Sequence, residues 1–110
     1  MIPKDLVAAS AKPLILSILS EGKSYGYEII QKVKELSEGQ IEWKEGMLYP
    51  VLHRLEKQGL IDSQWQTTDS GRRRRYYCLK EAGQEALETE KRQWMTVHST
   101  LMKLWELNNV

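Results

Sequence analysis

The sequence predicts a mainly α fold of the α+β kind, with three short helices, one β-hairpin and a long C-terminal helix. Three observations carry that prediction. Apolar residues recur at helical spacing as far as Gln58, the period falls to two after Gly59, and spacings of three, four or seven return from about Glu81 onward. A chain of 110 residues with 41% hydrophobic content can build one compact core. Residues 1–80 are expected to form that unit, with an N-terminal arm, and residues 81–110 a helix that leaves it.

The elements follow in order. Met1 to Ser10, with Pro3, Leu6 and Val7, reads as a short helical arm, and Pro13 either kinks it or marks the start of the next helix. From Lys12, Leu14, Ile15, Ile18 and Leu19 form an amphipathic stripe that "SEGKS" ends at Gly22. Leu16 points off that stripe, as exposed apolar surface or as part of a subunit contact. Ser24 is the expected N-cap of the second helix, in which Tyr27, Ile30, Val33 and Leu36 recur. An extended segment, Ile41 to Trp43, leads to a third helix from about Glu45 to Gln58, with Leu48, Val51, Leu52 and Leu55 on its inner side.

Beyond Gly59, Ile61, Ser63 and Trp65 face one way; "QTTDSG" supplies the turn, and Arg75, Tyr77 and Leu79 alternate with Arg74, Tyr76 and Cys78. Tyr77 is the core candidate of the tyrosine pair, with Tyr76 outside beside Arg74. Trp43 and Trp65 are expected to pack around the hairpin base. In the last helix, Leu87, Trp94, Val97, Leu101 and Leu104 form one apolar stripe, and Met95, His98, Met102 and Trp105 another beside it. A face that wide exceeds what a small domain covers, so Leu16, Leu87, Trp94, Val97, Leu101, Leu104 and Trp105 are the expected homodimer interface.

Net charge is only +1, yet the charges are segregated. Residues 1–43 carry five Lys and six acids, residues 44–80 eight Lys and Arg against four acids, and residues 81–110 three against five, which gives −1, +4 and −2. A local positive surface acts on a polyanion even when the whole molecule is nearly neutral. Cys78 is the sole cysteine, which fits a reduced cytoplasmic setting, and no apolar run approaches a membrane span. The sequence has no His, Cys and Asp set at metal or triad spacing. No catalytic residue, metal or cofactor is expected.

Three short helices followed by a hairpin is the order of a winged helix-turn-helix, whose third helix enters the DNA major groove while the hairpin, the wing, follows the phosphate backbone. Lys44, Tyr49, His53 and Arg54 lie on the outer side of the third helix and supply groups that pair with bases or phosphates. Arg72, Arg73, Arg74 and Arg75 read as a phosphate clamp on the wing, the alternative being a charged edge that guards the hairpin against aggregation. Strand alternation lets only two of the four meet one ligand; the other pair packs its stems on aromatics or pairs with acids.

"GMLYPVLHRLEKQGLIDSQW" followed by "GRRRRYYCLKEAGQEAL", with "SYGYEI" upstream, closely resembles the PadR family of bacterial winged-helix transcriptional regulators over about residues 12–88. One departure is Lys80, where the family usually has a threonine that caps the last helix, so the start of that helix is expected to fray or shift. With about 30 residues after the hairpin, the chain resembles the branch with a single C-terminal helix. The resemblance implies a homodimer, repression at a pseudo-palindromic double-stranded DNA operator, and release by an effector. In some members of that branch a tryptophan of the last helix holds a planar aromatic compound. Trp94 falls at the matching place, with Val97 and His98 beside it, so it reads either as a dimer anchor or as the effector site. The alternative function is a winged-helix dimer that binds small molecules or proteins without recognising an operator.

Overall fold

The computed structural model describes residues 2–107. Helices α1 (Lys4–Ser20), α2 (Gly26–Leu36) and α3 (Glu45–Lys57) surround a core closed by a small antiparallel sheet, and α4 (Glu81–Leu107) runs out from it. α1 is the central helix, because it packs against α2, α3, α4 and the sheet. That placement corrects the reading of Leu16. A helix covered on several sides buries more than one stripe, and Leu16 is 0% exposed beside Ile15, Ile18 and Leu19. It has no surface left for a second subunit.

α1 also absorbs the expected N-terminal arm into one continuous helix with Pro13 inside it. Proline deprives the carbonyl four residues earlier of its donor. Here that residue is Ala9, on the exposed side, where its carbonyl is open to solvent.

The expected cap Ser24 belongs to a strand. β1 (Ser24–Tyr25) joins β2 (Ile61–Thr67) and β3 (Arg73–Leu79) in the order β1-β3-β2, with Ser24 opposite Tyr77 and Tyr25 opposite Tyr76. Ser24 Oγ donates to Glu28 Oε1 at 2.6 Å, and α2 begins at Gly26 without a side-chain cap. β2 and β3 pair from Ile61 with Leu79 to Thr67 with Arg73. Thr68 N–H donates to Arg72 O at 2.8 Å, and Gly71, with φ of 85°, makes the left-handed step that closes the tip.

Ile61 and Tyr77 bring one face of the sheet into the core. Trp65, expected beside them, is 57% exposed, because its position lies beyond the end of the helices that cover the hairpin base. Trp43 is buried as part of the core and lines a groove with Val7, Ala8 and Met47. Cys78 lies exposed on the outer face of the sheet.

α4 is about 40 Å long by its residue count. Its start is fixed by backbone, which compensates for the missing hydroxyl at Lys80. Lys80 N–H donates to Leu60 O and Gln84 N–H to Lys80 O, both at 3.0 Å. A Cβ on Gly83 would overlap that same Leu60 carbonyl, so only glycine lets α4 pack this close to the foot of β2. The first half of α4 rests on α1 and buries Leu87 to 1% exposure. Leu87 is therefore part of the subunit core and not of a seam between subunits. From Met95 onward the helix carries an exposed apolar surface, including Val97, Leu101, Leu104 and Trp105. No helix among the described residues is long and apolar enough to cross a membrane.

Candidate nucleic-acid interface

α3 turns Leu48, Val51, Leu52 and Leu55 inward and leaves a polar side free. Helical spacing puts Gly46, Pro50, His53 and Lys57 along the middle of that side, with Tyr49 and Arg54 at its two edges and Lys44 at the N-cap. Lys44, Tyr49, His53 and Arg54 are all exposed. Tyr49 is also constrained, because a Cβ on Gly26 would overlap its hydroxyl. The glycine that opens α2 thus lets the phenol pack against that helix end while its outer edge stays in solvent.

The four arginines do not share one environment. Arg72, at the tip, and Arg73, the first residue of β3, are exposed. Arg73 stacks over the Trp65 ring at 5.0 Å from its centroid. Arg74 points to the other face, 4.3 Å from the Tyr25 ring centroid, where Tyr25 meets Tyr76 edge to face at 5.4 Å. Arg75 is held within the protein. Its Nη2 donates to Glu56 Oε1 at 3.1 Å and its Nε to Ser63 Oγ at 3.0 Å. Of the strip expected to meet one ligand through only two of its four members, Arg72 and Arg73 are exposed, Arg74 is stacked on an aromatic ring and Arg75 is paired with an acid.

Between the wing and the opening turns of α2 and α3 lies a groove of about 520 Å³ lined by Tyr25, Tyr27, Glu45, Tyr49, Trp65, Tyr77 and all four arginines. Burial holds the Tyr77 phenol above its ordinary value of 10.0, against the opposing pull of the Arg75 charge. Lys23 extends the basic surface over the outer face, with Nζ 5.2 Å from the Tyr76 centroid and donating to Gln66 Oε1 at 3.1 Å.

Trp65, Tyr25 and Tyr27 are groove residues, and Lys23 an outer-face cation, that sequence reasoning did not assign to the site. The hairpin register carried the signal for Trp65, since any pairing that sets Ile61 opposite Leu79 sets Trp65 opposite Arg75. No such signal exists for Tyr25, because a two-residue strand is too short to show alternation.

Separately from that groove, Trp94 is half-buried and lines an apolar groove of about 420 Å³ with Ile2, Leu6, Ser10, Pro13, Leu14, Ser17 and Ile41. Its Nε1 donates to Glu90 Oε2 at 3.2 Å, and Glu90 Oε1 pairs with Lys12 Nζ at 3.7 Å, which fixes the indole against α1. His98 and Val97 lie further along α4, exposed. Among the described residues, no group of three or more His, Cys, Asp or Glu is placed to hold a metal ion.

Comparison with known proteins gives concordant results. The family model described as the transcriptional regulator PadR-like family matches residues 15–89. A transcriptional regulator from Clostridium thermocellum superposes with a TM-score of 0.83 at 31% identity, over 94% of this chain and 97% of that one. A PadR-like transcriptional regulator from Bacillus cereus gives 0.81 at 31% identity, over 92% and 96%. A transcriptional regulator of Mycobacterium tuberculosis is 35% identical over 89 residues, which are 81% of this chain and 79% of that protein.

Proposed function

Because the chain belongs to the PadR-like family of transcriptional regulators, we propose that it is a cytoplasmic repressor that binds a pseudo-palindromic operator as a homodimer. The observation that carries this reading is the arginine-lined groove between the wing and α3. It sets exposed cations on the hairpin beside Tyr49 of α3, the helix whose exposed residues also include Lys44 at its N-cap, His53 and Arg54. In that arrangement α3 lies in the major groove, its side chains reach base edges or phosphates, and Arg72 and Arg73 hold backbone.

The exposed apolar half of α4 supports the dimer. Val97, Leu101, Leu104 and Trp105 in open solvent are an unfavourable surface for a helix of this length, and a second copy removes it. Two reading heads joined in this way would meet half-sites about one helical turn, or a multiple of it, apart. The Trp94 groove is the candidate effector site for a planar aromatic compound. Such a ligand releases the operator only if it binds more tightly to the conformation that fits DNA poorly.

Titration of random duplex DNA over a range of salt tests the regulator reading. Binding should weaken steeply as salt rises, by about 0.9 in log-log slope per neutralised phosphate. A dimer that lacks both binding and slope would instead be a sequestering or interaction module. Quenching of tryptophan fluorescence by planar cationic dyes tests the effector site, and Trp94→Phe should abolish it. Unchanged emission at high dye concentration would remove the effector from the scheme.

A further inference from the structure

Arg75 stands where three elements meet. It leaves β3 on the face that carries Tyr77, opposite Trp65 of β2 and above Glu56 near the end of α3. Its guanidinium donates to Glu56 Oε1 at 3.1 Å and to Ser63 Oγ at 3.0 Å, and Ser63 Oγ donates in turn to Glu56 Oε2, closing a ring of three partners. The same guanidinium lies 5.7 Å from the Tyr77 centroid and 6.0 Å from that of Trp65, whose ring also carries Arg73 at 5.0 Å. Tyr77, Arg75, Trp65 and Arg73 thus succeed one another from the core toward the wing tip along one face of the hairpin.

The geometry points to Arg75 and Glu56 as positioning residues, a clasp that sets the angle of the wing against α3 so that Arg73 meets phosphate, while Arg75 itself binds none. The inference rests on the reading of the wing and α3 as the DNA-binding surface. Two considerations carry it. A two-stranded hairpin is at best marginally ordered by its own ladder, so its direction relative to the helix needs a side-chain tie. The Glu56 side chain is only 25% exposed, and its charge is balanced by Arg75. Turning Arg75 toward a phosphate would leave a largely covered carboxylate unpaired beside a polyanion, which is unfavourable.

The clasp makes a prediction opposite in sign to simple electrostatics. Removing an acid near DNA should tighten binding, whereas loosening the clasp should weaken it. Affinity for a random duplex is measured by fluorescence anisotropy over a series of salt concentrations, after thermal melting has established that each variant is folded. Glu56→Gln and Arg75→Gln should each weaken binding about three- to fivefold, the range expected for losing one partly exposed ion pair. Both should show the same salt slope. Ser63→Ala, which removes one strut without changing charge, should weaken binding less, again at constant slope.

Equal or tighter binding by Glu56→Gln overturns the clasp. So does a slope for Arg75→Gln that falls about 0.9 or more below that of Glu56→Gln, since both variants open the clasp and only the first removes a cation. If the wild type shows no salt-dependent binding, the DNA-binding reading fails and the clasp falls with it; wild-type binding with tight Glu56→Gln binding refutes the clasp alone.

Discussion

Arg72 and Arg73 allow the wing to be tested as a quantity. Both side chains are exposed, and among the described residues neither is paired with a carboxylate, in contrast to Arg75. The double variant Arg72→Ser with Arg73→Ser removes two cations from each chain and four from a homodimer. At about 0.9 per neutralised phosphate, four lost contacts lower the log-log salt slope by about 3.6. Over a fourfold increase in salt, that difference changes relative affinity by about 150-fold, so variant and wild type should differ most at low salt and converge as salt rises. The assay is anisotropy of a labelled random duplex, with protein held above the concentration at which the dimer dissociates. An unchanged slope would mean that the wing tip touches no phosphate and would refute the reasoning. A fall of about 7.2 on replacing all four arginines by serine would mean that every one is a phosphate ligand, Arg75 included.

Three further perturbations bear on the scaffold that carries this surface. Gly83→Ala places a methyl group against the Leu60 carbonyl and should cost about 1–3 kcal/mol in urea unfolding, the usual range for overpacking; an unaffected midpoint would show that α4 does not need this close approach. Leu101→Asp with Leu104→Asp places charge on the exposed apolar side of α4, and sedimentation should show the dimer replaced by monomer while the helical circular dichroism signal persists. Because burial raises the Tyr77 phenol above 10.0, the folded state keeps a proton that the unfolded state releases. Its contribution to stability is complete below pH 10.0 and is lost as pH rises through the higher folded value. Tyr77→Phe should flatten that alkaline decline, and an identical profile in both proteins would refute the assignment.

What could be read from the sequence depended on the length over which a pattern repeats. α3 was expected from about Glu45 to Gln58 and spans Glu45–Lys57, because thirteen residues show three full turns of apolar spacing and Gly59 ends them. The hairpin was legible for the same reason, with Tyr77 inside and Tyr76 further out. Short-range signals failed where a tertiary contact overruled them. Ser24 has the residue type of a cap, but its neighbour is β3, and a two-residue strand leaves no periodic trace. Leu16 lay off the strongest stripe of its helix, and one-dimensional spacing cannot reveal that α1 is enclosed by four other parts of the fold. The arginine run showed the opposite limitation. Its identity was plain, but the division into exposed, stacked and paired side chains depends on Glu56, Trp65 and Tyr25, which arrive from elsewhere in the chain.

Those cross-links also give a path by which a change at α4 would reach the proposed DNA surface. Leu60 is the residue that binds both ends of the problem. It stands at the foot of β2, its carbonyl accepts the Lys80 N–H, and the first turn of α4 lies against it at Gly83. β2 in turn carries Ser63 and Trp65, which hold Arg75 and Arg73, and Glu56 fastens that group to α3. The path from helix to wing to α3 thus passes through backbone bonds and charged pairs with no flexible linker between them. In the proposed dimer joined through α4, a ligand that rotates one helix against its partner would therefore carry the whole reading head with it and change the spacing presented to two half-sites.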